Sequence, residues 1–435
     1  MIFFIGIKGT GMAALACMLH DLGYEVAGSD LSKHFFTEEP LVERNIAIYD
    51  FSANNIKDDM TVIIGNAFLD DFEEVVAAHQ NNTVKTYRYH EYLGKLMREY
   101  TSFSVAGSHG KTTTTGMLSS VMNQHIPTGY LVGDGTGFLT KECQNLIVES
   151  CEFRRHFLKY YPEYAIITNI EIDHIDYFKD EEDYRMAYQE FVENVGKLVV
   201  LFGDDPECRK LNIKKEHYFY GLKEDNDFQA VNLVETEVDM SFDVVFHKEH
   251  IGHFQVPFVG THLLWNALGV IALAHLVGLS CKQIEEGLHA FKGVKRRYVM
   301  EKHQDNVFVD DYAHHPTEVK VTILATKKRF PNKKIIAIFK PHRASRVYHF
   351  AKEFKEALEL ADEVYLCDFT SIDDKQDGID IDITYLQNKI ENSKILSEDE
   401  EGAKVLAQYH NVVYLFMSSK DIYHLAHLVK RYQLS

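Results

Sequence analysis

The chain is built from short apolar runs that each stop at a glycine or a polar residue, with a helix-forming stretch before the next run. This rhythm limits its possible folds more than any other feature. The runs are IFFI (2–5), YEVAG (24–28), TVIIG (61–65), TSFSVA (101–106), NLIVE (145–149), YAIITN (164–169) and KLVVLF (197–202), then NVFVD (306–310), KIIAIF (334–339), EVYLC (363–367) and VVYLF (412–416). Such runs suit strands buried on both faces, and the stretches between them supply the crossover helices of a mainly parallel α/β sheet. In open sheets of this kind ligands collect beyond the carboxyl ends of the strands. Gly6, Asp30, Gly65, Gly107, Glu149, Asn169, Asp310 and His342 stand there. One region breaks the rhythm. Residues 228–258 alternate apolar and polar with no helix between, which predicts an antiparallel ribbon on the middle domain.

At roughly 100–200 residues per domain, 435 residues hold two to four domains. Breaks near residues 97 and 293 predict three: 1–96, 97–292 and 293–435. The net charge of −19 disfavours a protein that coats nucleic acid or anionic lipid. Six cysteines without a C-x-x-C suggest a reducing, cytoplasmic setting. The N-terminal MIFFIGIKGTGM reads as a strand and a glycine turn, not a signal peptide. Residues 263–279 are the most apolar stretch, but it is short and carries Asn266 and His275. A buried core helix is expected there, not a membrane span.

Chemistry is densest in GSHGKTTTT (107–115), between a strand and a helical run. Small residues let backbone N–H groups turn inward around phosphate oxygens, and the following helix N-terminus adds positive potential. Lys111 would reach the β/γ-phosphates, and the Thr112 hydroxyl would hold Mg²⁺. Glu149, at the tip of the next predicted strand, offers the oxygen that such a cation takes. Asn169, Asp173, His174 and Asp176 follow another strand in TNIEIDHIDYF. A histidine among acids suits a second metal or the orienting of a reacting carboxylate, and the same acids suit a helix start. GIKGTGM, with Asp30 lying 19 residues past Gly11, suits a pyrophosphate-binding turn. Its glycine order is not that of a dinucleotide fingerprint. A dehydrogenase would explain this turn and leave GSHGKT and Glu149 without a role. In DDYAHHPTE (310–318) and FKPHRASR (339–346), Arg343 and Arg346 suit a carboxylate clamp. His314 and His315 suit hydrogen bonds to substrate more than a metal. His247, His250 and His253 read as solvated turn residues.

Taken in order, GIKGTGM, GSD, GSHGKTTTT, TNIEIDHID, FKGVKRR, DDYAHHPTE and FKPHRASR resemble the Mur ligases. Within that family the last two motifs resemble the branch that joins L-alanine to UDP-N-acetylmuramate. The resemblance implies a Rossmann-like N-terminal domain that binds the UDP-sugar. It also implies a central P-loop α/β domain that binds ATP and Mg²⁺, and a Rossmann-like C-terminal domain that binds the amino acid. It carries ATP binding to Gly107, Ser108, His109, Gly110, Lys111, Thr112, Thr113, His262, Asn266, Arg297 and Asp310. Metal binding falls to Thr112, Glu149 and His174, and catalysis to Lys111, Glu149 and His174. Gly9, Gly11, Ser29 and Asp30 fall at the UDP-sugar site, and Tyr312, His314, Arg343 and Arg346 at the alanine pocket. Leu263, Lys340, Ala344 and MSSKDI (417–422) depart from the family pattern. Addition of a preformed peptide, or an inactive binding relative, is the alternative. Monomer and homodimer are both open.

Overall fold

In the first run every residue is apolar, so a strand made from it has no face to give to water. Strand β1 (Ile2–Ile5) is accordingly buried along its whole length. It lies between β2 (Val26–Ser29) and β4 (Thr61–Ile64), and β3 (Ala47–Tyr49) and β5 (Lys85–Arg88) flank them. All pairings in this sheet are parallel, in the order β3-β2-β1-β4-β5. The computed structural model describes residues 1–369 and 379–434.

The second sheet is centred on β6 (Thr101–Ala106), with β9 (Asn145–Glu149) on one side and β10 (Tyr164–Ile167) on the other. The hairpin β7 (Thr128–Leu131) and β8 (Gly137–Phe138) extends it beyond β9. Beyond β10 come β11 (Leu198–Phe202) and β12 (Glu216–Gly221). The alternating segment forms β13 (Phe228–Glu235), β14 (Met240–Phe246) and β15 (Glu249–Val256), an antiparallel ribbon at the edge of this sheet. The apolar stretch after it folds as helix Thr261–Leu276, buried among the ribbon, β11 and the helix Lys111–Asn123. No helix among the described residues is long and apolar enough to cross a membrane.

The third sheet contains β16 (Val299–His303), β17 (Asn306–Asp311), β18 (Lys334–Phe339), β19 (Glu363–Leu366), β20 (Lys394–Ile395) and β21 (Val412–Met417). Its order is β16-β17-β21-β18-β19-β20, and only β16 runs antiparallel. All the expected apolar strands form, with ends shifted by a residue or two. The periodicity passes over β3, β5, β7, β8, β12, β16 and β20. Strands β3, β5, β16 and β20 lie at sheet edges with polar residues facing water, and β7, β8 and β12 are short or mixed in composition, so no continuous apolar run marks them.

Candidate active site

Two glycines shape the turn after β6. Gly107 has φ +138°, and a Cβ there would sit 2.0 Å from Thr168 Oγ1. Gly110 has φ +79°, and a Cβ would sit 2.6 Å from Asn266 Oδ1. A side chain at either position would collide with the neighbouring strand end or the buried helix. Asn169 fastens the loop from below. It accepts the His109 N–H at 2.9 Å and donates to the His109 carbonyl at 3.0 Å. Ser108 Oγ lies 2.9 Å from the Tyr184 hydroxyl and accepts the Glu171 N–H at 2.8 Å. Thr113 follows Thr112 in the first turn of the helix.

Lys111 curls back over this loop. Its ammonium donates to the Ser108 carbonyl at 3.0 Å and lies 3.0 Å from Glu152, whose side chain is 1% exposed. Burial disfavours the ammonium, but the Glu152 charge outweighs burial and holds the Lys111 pKa above its ordinary value. Beside it the Thr112 hydroxyl donates to Glu149 Oε1 at 3.0 Å, and the Gly133 N–H donates to Glu149 Oε2 at 2.6 Å. Burial raises the Glu149 pKa. Carboxylate oxygens of this kind are what a divalent cation takes.

His174 does not join Glu149 in one tight cluster. Its Nε2 is 3.7 Å from Glu152 Oε1, its ring packs on Phe153, and its Nδ1 is buried without a hydrogen-bond partner in the protein. Burial lowers its pKa, which favours the neutral imidazole. The sequence reading passed over Glu152. It lies three residues beyond Glu149, and only folding brings it between Lys111 and His174.

The third domain reaches into the same cleft. Arg346 donates through two nitrogens to Asp173 Oδ1, at 3.1 and 2.8 Å, and both side chains are buried. Burial resists the Asp173 charge, yet Arg346 holds its carboxyl well below the usual range. Arg343 donates to Asp176 at 2.7 Å and lies over the Phe153 ring. Tyr312 is capped by the guanidinium groups of Arg296 and Arg297, 5.4 and 4.7 Å from its ring centre. Glu318 ties these parts together. It accepts from the His314 N–H at 3.1 Å and lies 3.4 Å from Arg297 and 3.5 Å from His109. Asp310 is buried 3.5 Å from Arg296, and burial raises its pKa. Its neighbour Asp311 accepts the Tyr298 and Ala313 N–H groups at 2.8 Å, locking the turn to the segment that leaves the second sheet. His262 begins the buried helix, and burial lowers its pKa to about 4.

The N-terminal turn packs against the middle-domain loop that follows β7: a Cβ on Gly135 would sit 3.3 Å from Thr10 and 3.4 Å from Thr37. Gly9 precedes helix Thr10–Asp21, and a Cβ on Gly11 would strike the Tyr89 hydroxyl. Asp30 accepts the Lys8 N–H at 2.7 Å and the Leu31 N–H at 2.8 Å. Ser29 is buried and donates to Glu74 at 2.5 Å.

Three stretches match Mur ligase descriptions. Residues 1–101 match the Mur ligase family catalytic domain, 105–274 the Mur ligase middle domain, and 296–417 the Mur ligase glutamate ligase domain. The UDP-N-acetylmuramate-alanine ligase MurC of Thermotoga maritima is 30% identical over 100% of this chain and 99% of its own, with a TM-score of 0.82. The chain belongs to the Mur ligase family.

Like its relatives, this Mur ligase is an ATP-dependent ligase of peptidoglycan synthesis. A murein peptide ligase from Psychrobacter arcticus shares its fold at 22% identity, covering 99% of this chain and 98% of its own, with a TM-score of 0.76. MurF of Thermotoga maritima, solved with ADP, shares it at 18% identity and a TM-score of 0.66, covering 95% of this chain and 96% of its own. The departures from the family pattern are absorbed by local bonds. In MSSKDI the Ser418 hydroxyl donates to the Lys340 carbonyl at 2.8 Å, and Arg296 donates to the Ser418 and Lys420 carbonyls. Lys340 is buried on Glu398, and Leu263 packs against the middle-domain core.

Proposed function

We propose that this Mur ligase joins L-alanine to the lactyl carboxylate of UDP-N-acetylmuramate, giving UDP-N-acetylmuramoyl-L-alanine, ADP and phosphate. One observation carries the reading. Arg346 of the third domain already grips a carboxylate, that of Asp173, next to His174 and across Glu152 from Lys111. A free amino acid held by the same guanidinium would bring its amine to the phosphate end of the cleft. The division into domains 1–96, 97–292 and 293–435 is supported by the three separate sheets. The UDP-sugar is assigned to the turn at Gly9 and Gly11 with Ser29 and Asp30, which stands at the carboxyl ends of β1 and β2. The alanine branch rests on the similarity to MurC and on DDYAHHPTE with FKPHRASR.

In this reaction the lactyl carboxylate attacks the γ-phosphorus of ATP and ADP leaves, forming an acyl phosphate. Lys111 is released from the loop carbonyls to the phosphate oxygens, where its charge offsets the charge that develops in transfer. The amine of alanine then attacks the acyl carbon, loses a proton, and phosphate departs. Thr112 and Glu149 fit Mg²⁺ by their oxygen donors, with His174 across the site, and the ion when bound supplies charge neutralisation of the phosphates. His262, Asn266, Arg297 and Asp310 line the nucleotide side, and Tyr312, His314 and Arg343 complete the amino-acid pocket. Sealing of the cleft by the third domain keeps water from the acyl phosphate.

Incubation with UDP-N-acetylmuramate, ATP, Mg²⁺ and one amino acid at a time, followed by product mass, tests the reading. Alanine should give the main product. A product only with a preformed peptide would assign the chain to the peptide-adding branch, and ligand-dependent thermal stabilisation without any product would make it a binding relative.

A further inference from the structure

We propose that the chain also carries a transition-metal site, formed by His109, Glu171 and His315, that binds Zn²⁺ between the phosphate loop and the third domain. Each of these residues offers a ligand atom, and the three atoms lie within 4.8 Å of one another. Among the described residues no other group of three metal-ligating side chains is so tight. The imidazoles of His109 and His315 face each other with centroids 4.7 Å apart, and His109 Nε2 is 2.9 Å from Glu171 Oε2.

The second observation is a nitrogen with nothing to bind. His315 is 2% exposed, and its Nε2 has no hydrogen-bond partner among the described residues. A buried polar atom left alone is costly, and a metal would satisfy it. Its Nδ1 receives the Thr317 N–H at only 3.4 Å, so the tautomer that frees the Nε2 lone pair gives up little. A cavity of about 510 Å³ opens beside the cluster. Glu181, Asp205, Glu207 and Glu353 line it with Glu171 and His315, so the approach is acidic and has room for water on a fourth coordination position.

Two imidazoles and one carboxylate are a donor set for Zn²⁺ rather than for Mg²⁺, which prefers oxygen alone. His109 belongs to the phosphate loop, and His315 begins helix Pro316–Arg329 of the third domain. Bound Zn²⁺ would therefore pin the loop to that domain and slow exchange of nucleotide. This inhibitory consequence rests on the proposed ligase reaction; the metal site does not.

Calorimetric titration of the full-length, nucleotide-free protein with Zn²⁺ alone decides it. One equivalent should bind. His315→Asn, which keeps a side chain able to cap the helix, should weaken that binding at least about tenfold, as should Glu171→Gln. An isotherm unchanged in both variants would overturn the site. So would loss of binding only in His253→Gln, since His250 and His253 flank Asp243 on the exposed ribbon. In a second arm, Zn²⁺ should inhibit ATP turnover by the unmodified protein and inhibit His315→Asn less. Binding without inhibition would keep the site and discard the regulation, and absence of turnover in any condition would count against the ligase reading alone.

Discussion

The chain makes two glycine-rich strand-to-helix turns that look alike in sequence, GIKGTGM after β1 and GSHGKTT after β6. Each carries a lysine, and in neither does it reach freely into water. Lys8 is spent on its own domain. It donates to the Leu31 and Lys33 carbonyls at 2.9 and 3.0 Å and pairs with Glu38 at 3.1 Å, pinning the segment that follows β2. Lys111 folds onto the carbonyls of its own loop and onto the buried Glu152. Phosphate oxygens can replace loop carbonyls without unfolding anything. The partners of Lys8 cannot be replaced without freeing a stretch of backbone. One lysine is thus a fastener and the other a group held ready, and the difference lies in what each would have to give up.

The sharpest way to break this comparison is Lys111→Ala. Release of phosphate should fall by about 10²–10³-fold, the scale of one removed transition-state donor, while binding of UDP-N-acetylmuramate by calorimetry survives. Loss of UDP-sugar binding in a folded variant would erase the division of labour between the turns. Next in size is Arg346→Ala, which leaves Asp173 buried without its partner. The KM for L-alanine should rise by roughly ten- to a hundredfold with a smaller change in kcat, and an unchanged KM would place the carboxylate clamp elsewhere.

Lys8→Met should cost about 1–3 kcal/mol of stability, read from denaturant unfolding, because it strips two part-buried backbone-carbonyl contacts and an ion pair. A large loss of phosphate release at unchanged stability would make Lys8 a second phosphate-side group after all.

The smallest effect concerns pH, in metal-free buffer. Burial opposes the His109 charge, but Glu171 and Glu318 outweigh it and raise its pKa to about 9. Burial likewise opposes the Glu171 charge, and His109 lowers that pKa to about 2. The raised histidine stabilises the fold fully below its unfolded value near ~6.5 and loses that contribution as pH rises through about 9. The lowered acid contributes above its unfolded value near ~4.3 and loses it as pH falls through about 2. Thermal unfolding should therefore show a pH-dependent loss between about pH 6.5 and 9 that Glu171→Gln diminishes. An identical profile in that variant would mean the pair does not act.

Much of this site is legible along the chain because strand-end residues are local. Once TSFSVA is a buried strand and KTTTT starts a helix, Gly107 to Thr112 have one place to be, and Glu149 follows at the tip of the neighbouring strand. Glu152, Glu171, Arg296 and Glu318 carry no such mark. Each is a charged residue next to a motif, and charged residues next to motifs are usually solvated. What makes them part of the site is the partner that arrives from far along the chain: Arg346 meets Asp173 across 173 residues, and Thr317 donates to Glu171 across 146.

By itself, then, the sequence determined the parallel α/β sheets, the phosphate loop, the strand-end acids and the two arginines, since these depend on short-range periodicity and on spacing within a turn. Tertiary structure alone decided which carboxylate each cation meets, that His174 faces Glu152, and that the second and third domains share one cleft. Coulomb energy and desolvation depend on separation in space and on burial, and neither is written in the order of residues.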